Sequence, residues 1–98
     1  MSAERESIRK ERKMNDLLGR RAIVSGAARG IGLAVARRLV EGGARVAVAD
    51  LDADGAHDAA AELGNGSIGL HCDVRSMADV NAAVKATVAA FEIGRAHV

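Results

Sequence analysis

The sequence predicts an α/β fold: a three-stranded parallel sheet with helices on both faces, in the order βαβαβα. Three observations carry this reading. Short apolar runs of Val, Ile and Ala alternate with stretches whose apolar residues recur at helical period. The connections between them are brief and marked by glycine or aspartate. Composition suits thin, closely packed layers: 49% of residues are hydrophobic, yet there are eleven glycines, no proline and a single aromatic, Phe91. At 98 residues the chain is long enough for one modest domain and too short for two.

Residues 1–13, MSAERESIRKERK, alternate in charge without an apolar stripe and read as a solvated extension. The expected first region is therefore 1–19, disordered or loosely helical, ahead of a domain over 20–91. Met14 opens MNDLLGRRAIV and reads as the natural start. Ala22-Ile23-Val24 is the first strand, expected to be buried. Gly30 to Val40 follows as a helix with Ile31, Val35 and Leu39 on one stripe and Arg37, Arg38 and Glu41 facing out. Gly42-Gly43 stops it by supplying the left-handed cap position.

Arg45 to Asp50 is a second apolar strand that ends in a carboxylate. Asp52 is placed to cap a second helix running to about Leu63, and Gly64-Asn65-Gly66 turns the chain. Ile68 to Cys72 is the third strand, again followed by an acid, Asp73. Ser76 caps a third helix, in which Val80, Ala83, Val84, Thr87, Val88 and Phe91 form a core-facing stripe. Right-handed crossovers order such strands 3-2-1, which is one half of a doubly wound, Rossmann-type sheet: a partial Rossmann fold.

The chemistry sits in Ser25-Gly26-Ala27-Ala28-Arg29-Gly30-Ile31-Gly32, which leaves a strand and opens a helix. Glycines there let the backbone turn tightly and bring N–H groups against a pyrophosphate at the positive end of the helix. The spacing is neither that of G-x-G-x-x-G nor that of a P-loop. Asp50, 18 residues after Gly32, ends the next strand where a carboxylate can accept from ribose hydroxyls.

Residues 20–91 resemble the N-terminal part of a classical short-chain dehydrogenase/reductase, truncated after the third helix. SGAARGIG matches the family's Thr-Gly-x-x-x-Gly-x-Gly with Ser25 in the threonine place; Asp50 matches its acid after the second strand; Asp73-Val74 matches its Asp-Val after the third. The resemblance implies that Gly26, Gly30, Ile31 and Gly32 line the pyrophosphate and adenosine, and that Ser25 and Arg29 shape the loop near the ribose. It further implies that Asp50 and Leu51 flank ribose and adenine, and that Asp73 with Val74 meets the adenine edge.

It implies an oxidoreductase that moves hydride reversibly between a nicotinamide and an alcohol or ketone. The family's catalytic serine and Tyr-x-x-x-Lys pair are expected beyond residue 98, since the chain contains no tyrosine. NAD is favoured over NADP, because the Asp50 carboxylate would face a dianionic 2′-phosphate. Arg29 argues the other way, as a guanidinium able to pair with that phosphate. Two alternatives stand beside this reading: a short non-catalytic nucleotide-binding module, and a Rossmann-like methyltransferase, against which the glycine spacing and Asp73-Val74 count.

The other features point away from chemistry. In a strand, His71 and Asp73 share one face and Cys72 the other, so they do not converge on a metal. Cys72 reads as a small buried hydrophobe, and His57 and Asp58 as solvated. A net charge of +1 and the lack of stacking aromatics give no basis for nucleic-acid binding. No segment reads as a bilayer span, and one cysteine suits a reducing cytoplasm. Complete family members are usually dimers or tetramers, which implies a homo-oligomeric parent. The outer edge of the first strand is expected to lie open, leaving the isolated chain unstable or self-associating and a poor binder of NAD. Residues 92–98 are expected to be a non-native tail, because Ile-Gly-Arg-Ala-His-Val is encoded by one frame of a common sequencing adapter.

Overall fold

The structure is a computed structural model and describes residues 16–92. The start at Met14, the extension up to residue 15 and the tail from residue 93 lie outside the described residues. The chain order is β1 (Arg21–Ser25), α1 (Gly30–Glu41), β2 (Arg45–Asp50), α2 (Ala53–Leu63), β3 (Ile68–His71) and α3 (Met77–Glu92). All three strands are parallel with β2 in the middle, which is the predicted order. Val24 pairs with Val48 and Val48 with Gly69.

The alternation along β2 builds two cores. Val46 and Val48 are fully buried and meet Ala36 of α1 and Ala56, Ala59 and Ala60 of α2. Ala49 turns to the opposite face, where Cys72 and Ala83 of α3 enclose it with Leu70 and Val80. Small residues permit this closeness. A Cβ at Gly69 would lie 2.6 Å from the Ala56 carbonyl, so α2 rests directly on the backbone of β3. Each buried valine contributes roughly 1.5 kcal/mol or more of transfer energy, and the alanines contribute mainly by letting the layers approach.

The helix signals act as predicted. The Asp52 carboxylate accepts from Gly55 N–H at 3.0 Å, and Ser76 Oγ accepts from Asp79 N–H at 3.2 Å. Gly43, at φ +100°, supplies the left-handed residue after α1. Within the expected 1–19 region, Leu17 packs on the main core and its N–H donates to Gly42 O at 2.9 Å. Glu92 is the last residue of α3 and pairs with Arg21.

Two predicted stripes are rotated. Ile31 is 85% exposed and Val35 is exposed, while Leu33, Leu39 and Val40 pack inward with Ala36. On α3, Ala83, Thr87 and Phe91 are buried but Val84 and Val88 are exposed. Both errors share one cause. α1 sits chiefly over β2, and β1 is an edge strand, so apolar residues leaning beyond β1 find no layer to cover them. For the same reason β1 is only half-buried, with Ile23 exposed, where the sequence suggests a buried strand.

Ile23, Val88 and Phe91 thereby line an apolar groove along the β1 edge. The 98-residue chain is expected to self-associate through it. Sedimentation velocity across the micromolar range tests this: the wild type should sediment as oligomers, and Val88→Lys should shift it towards monomer. A wild type that stays monomeric throughout contradicts the assignment.

Candidate functional site

Because the strands are parallel, their C-terminal ends share one edge of the sheet, and the predicted site residues gather there. Ser25 ends β1 and leads into Gly26 at φ +63°. Ala27 is fully buried, and its N–H donates to Ala49 O at 3.3 Å, which ties the loop to β2. Gly30 opens α1 at φ +65°. Gly32 serves a different need: a Cβ there would lie 2.2 Å from Gly26 O, so only glycine lets the helix start beneath the loop. At Gly26 and Gly30 a Cβ would meet nothing within 4 Å, so the loop backbone faces open space at both.

Asp50 joins the two loops that flank this edge. Its Oδ2 accepts from Ala28 N–H at 3.0 Å and its Oδ1 from Asp52 N–H at 3.0 Å. The carboxylate thus holds the glycine loop against the start of α2 and keeps lone pairs for a ligand, since two oxygens offer about four acceptor sites. These N–H groups, Asp52 first and Ala28 second, hold the Asp50 carboxyl below its ordinary range; Arg29 adds to the effect and burial opposes it.

The start of α1 stands apart. Arg29 occupies the cap position without a side-chain hydrogen bond to the helix, and the first turn holds no acid. By contrast, α2 has the Asp52 cap and Asp54 in its first turn. The N-terminal dipole of α1 is therefore left for an anion from outside.

Arg29 instead turns its guanidinium to Asp52 Oδ2, an ion pair the sequence reading missed. Its two members are 23 residues apart and carry no local periodicity; only their charges could have suggested it. Asp52 is held below the ordinary carboxylate range by Gly55 N–H and then by Arg29.

Asp73 follows β3 and adjoins this site, Cys72 N–H donating to Asp50 O at 2.9 Å. Its carboxylate is already engaged: Oδ1 accepts from Arg75 N and Nε, and Oδ2 from Arg75 Nη2, at 2.9 to 3.0 Å. Those bonds, side chain first, keep its carboxyl low. Arg75 was not singled out by the sequence reading; nor was Asp79, which accepts from Asp73 N–H at 3.1 Å. Leu51 after β2, Val74 after β3 and Ile31 at the start of α1 are exposed apolar residues. Cys72 is buried, and among the described residues no group of three metal-ligating side chains gathers.

Two expectations follow. Gly32→Ala should cost about 1–3 kcal/mol in urea unfolding, the usual penalty for overpacking, and an unchanged midpoint would contradict the contact with Gly26. The lowered Asp50 carboxyl favours the charged form in the fold, so its contribution is present above the ordinary value of 3.8 and lost as pH falls through the lower folded value. The protection factor of the Ala28 amide should fall over that acid range, and Asp50→Ala should show weak protection at neutral pH. Equal protection in the variant would contradict the clamp.

The chain has relatives among known proteins. The family model for short chain dehydrogenase matches residues 20–97. D-threitol dehydrogenase from Mycolicibacterium smegmatis is 48% identical over 77 residues, covering 74% of this chain and 29% of that protein. Momilactone A synthase from Oryza sativa subsp. japonica is 46% identical over 76 residues, covering 76% of this chain and 28% of that protein. Among solved structures, the 3-ketoacyl-(acyl-carrier-protein) reductase from Brucella melitensis complexed with NADH superposes with a TM-score of 0.74 at 39% identity. That match covers 76% of this chain and 31% of the reductase. The chain thus spans under a third of the length of these proteins.

Proposed function

The chain belongs to the short-chain dehydrogenase family, and we propose that it is the dinucleotide-binding part of an oxidoreductase that uses NAD. The observation that supports this most is the joint built by Asp50. One carboxylate fastens a glycine loop with two left-handed residues to the next strand, beside a helix start that lacks its own anion. Such a joint offers backbone N–H groups to a pyrophosphate and acceptor oxygens to a ribose.

In this reading Gly26, Gly30, Ile31 and Gly32 receive the pyrophosphate and adenosine, with Ser25 and Arg29 shaping the loop. Asp50 accepts from the ribose hydroxyls, Leu51 and Val74 cover the adenine, and Asp73 meets its edge. Since Arg75 occupies the Asp73 carboxylate, the adenine amine must share it or displace that exposed guanidinium. NAD is preferred because a 2′-phosphate would stand against Asp50.

When bound, the nicotinamide supplies hydride exchange with an alcohol or ketone; the residues of this chain bind and orient it. The domain proposed for this work is 20–91, in a parent that is a cytoplasmic homo-oligomer. With no tyrosine in the chain, the family's Tyr-x-x-x-Lys pair is absent from it, and the 98 residues alone are proposed to be inactive.

Titrating the ¹⁵N-labelled chain with NAD tests the reading. The amides of Ala28, Gly30, Ile31, Gly32, Leu51 and Val74 should shift together, with an affinity of roughly millimolar. NADP should bind more weakly by about tenfold, the effect of one short-range like-charge contact. No shift in these amides, or shifts confined to another face, would contradict the reading.

A further inference from the structure

From the geometry around Asp52 we infer that this residue is a cofactor-selecting position, which masks the loop cation Arg29 and so withholds it from a 2′-phosphate. The inference rests on the dinucleotide reading above and adds a residue and a device to it.

Arg29 is the charged residue of the glycine loop; it follows the Ala28 amide that binds Asp50, and its charge acts on the Asp50 carboxyl. Its guanidinium is directed to Asp52. Asp52 is a fixed acceptor. Its Oδ1 is held by Gly55 N–H at the start of α2, and its own N–H is held by Asp50 Oδ1, both at 3.0 Å. The Gly55 N–H and the Asp50 carboxylate thus hold Asp52 from two sides, and the Arg29 side chain comes to it.

A 2′-phosphate entering beside Asp50 would meet two carboxylates and one cation that is already neutralised. The pair is a poor candidate for a stability element. The side chains of Arg29 and Asp52 are 72% and 41% exposed, and ion pairs so open to water contribute little to folding. What the pair does control is where the Arg29 charge sits.

Asp52→Asn separates the two roles of this side chain. Asparagine caps helices about as well as aspartate, so the bond to Gly55 and the fold are kept while the charge that holds Arg29 is removed. The experiment measures NAD and NADP affinity by amide shifts in the 98-residue chain, for wild type, Asp52→Asn, Arg29→Ala and the double variant. Thermal melts check that each is folded, and Asp52→Ser, another good cap, replaces any asparagine variant that is not.

Asp52→Asn should raise NADP affinity relative to NAD by roughly tenfold, the scale of a charge-assisted pair. Arg29→Ala alone should not raise NADP affinity relative to NAD, and in the double variant the gain should vanish. An unchanged ratio in Asp52→Asn overturns the inference while leaving the binding site intact. A gain that survives in the double variant also overturns it, because Asp52 would then repel the phosphate by its own charge. If neither nucleotide shifts the loop amides of the wild type, the dinucleotide reading falls and takes this inference with it.

Discussion

A single carboxylate organises the working edge of this protein. Asp50 ends the central strand and accepts one N–H from the glycine loop, at Ala28, and one from the start of α2, at Asp52. Without it, the loop would be held to β2 mainly through Ala27, whose bond to Ala49 is 3.3 Å long. The glycines make the arrangement possible and Asp50 makes it stay. Gly26 and Gly30 take backbone conformations that other residues resist, and Gly32 lets α1 begin under the loop. The same two oxygens fix the positions of the glycine loop and the start of α2 together.

The rest of the fold follows from thin packing. β2 carries both cores, with valines facing α1 and α2 and Ala49 facing α3. Alanine and glycine at the contacts bring the layers close, as the overlap of a Gly69 Cβ with Ala56 shows. Few large side chains are needed, but little apolar area is buried for each ordered residue. The β1 side is where this economy shows, with Ile23, Val84 and Val88 exposed beside one another. Exposed apolar residues along an edge strand make a surface prone to association.

Strands, helices and caps were legible in the sequence wherever local rules decide them. β2 runs from Arg45 to Asp50 as its pattern predicts, α2 is capped by Asp52, and α3 is capped by Ser76. The glycine loop and its acid were legible as well, because their spacing follows from one strand, one turn and one helix. Two kinds of feature were not. Helical period identifies a stripe but not how a helix is rotated over a sheet whose edge lies beneath it, hence the misplaced Ile31, Val35, Val84 and Val88. Long-range polar pairs such as Arg29 with Asp52 leave no periodic trace, and the Arg75 grip on Asp73 depends on side-chain direction after a strand end.

The central claim is that the joint at Asp50 receives the adenosine half of a dinucleotide. The most direct test is a set of intermolecular NOEs between bound NAD and the isotopically labelled chain. The account predicts contacts from the adenine-side ribose protons to Ala28 and Leu51, and from the adenine H2 or H8 to Val74. Contacts to the β1–α3 groove, around Ile23 and Val88, with none at the glycine loop, would contradict it.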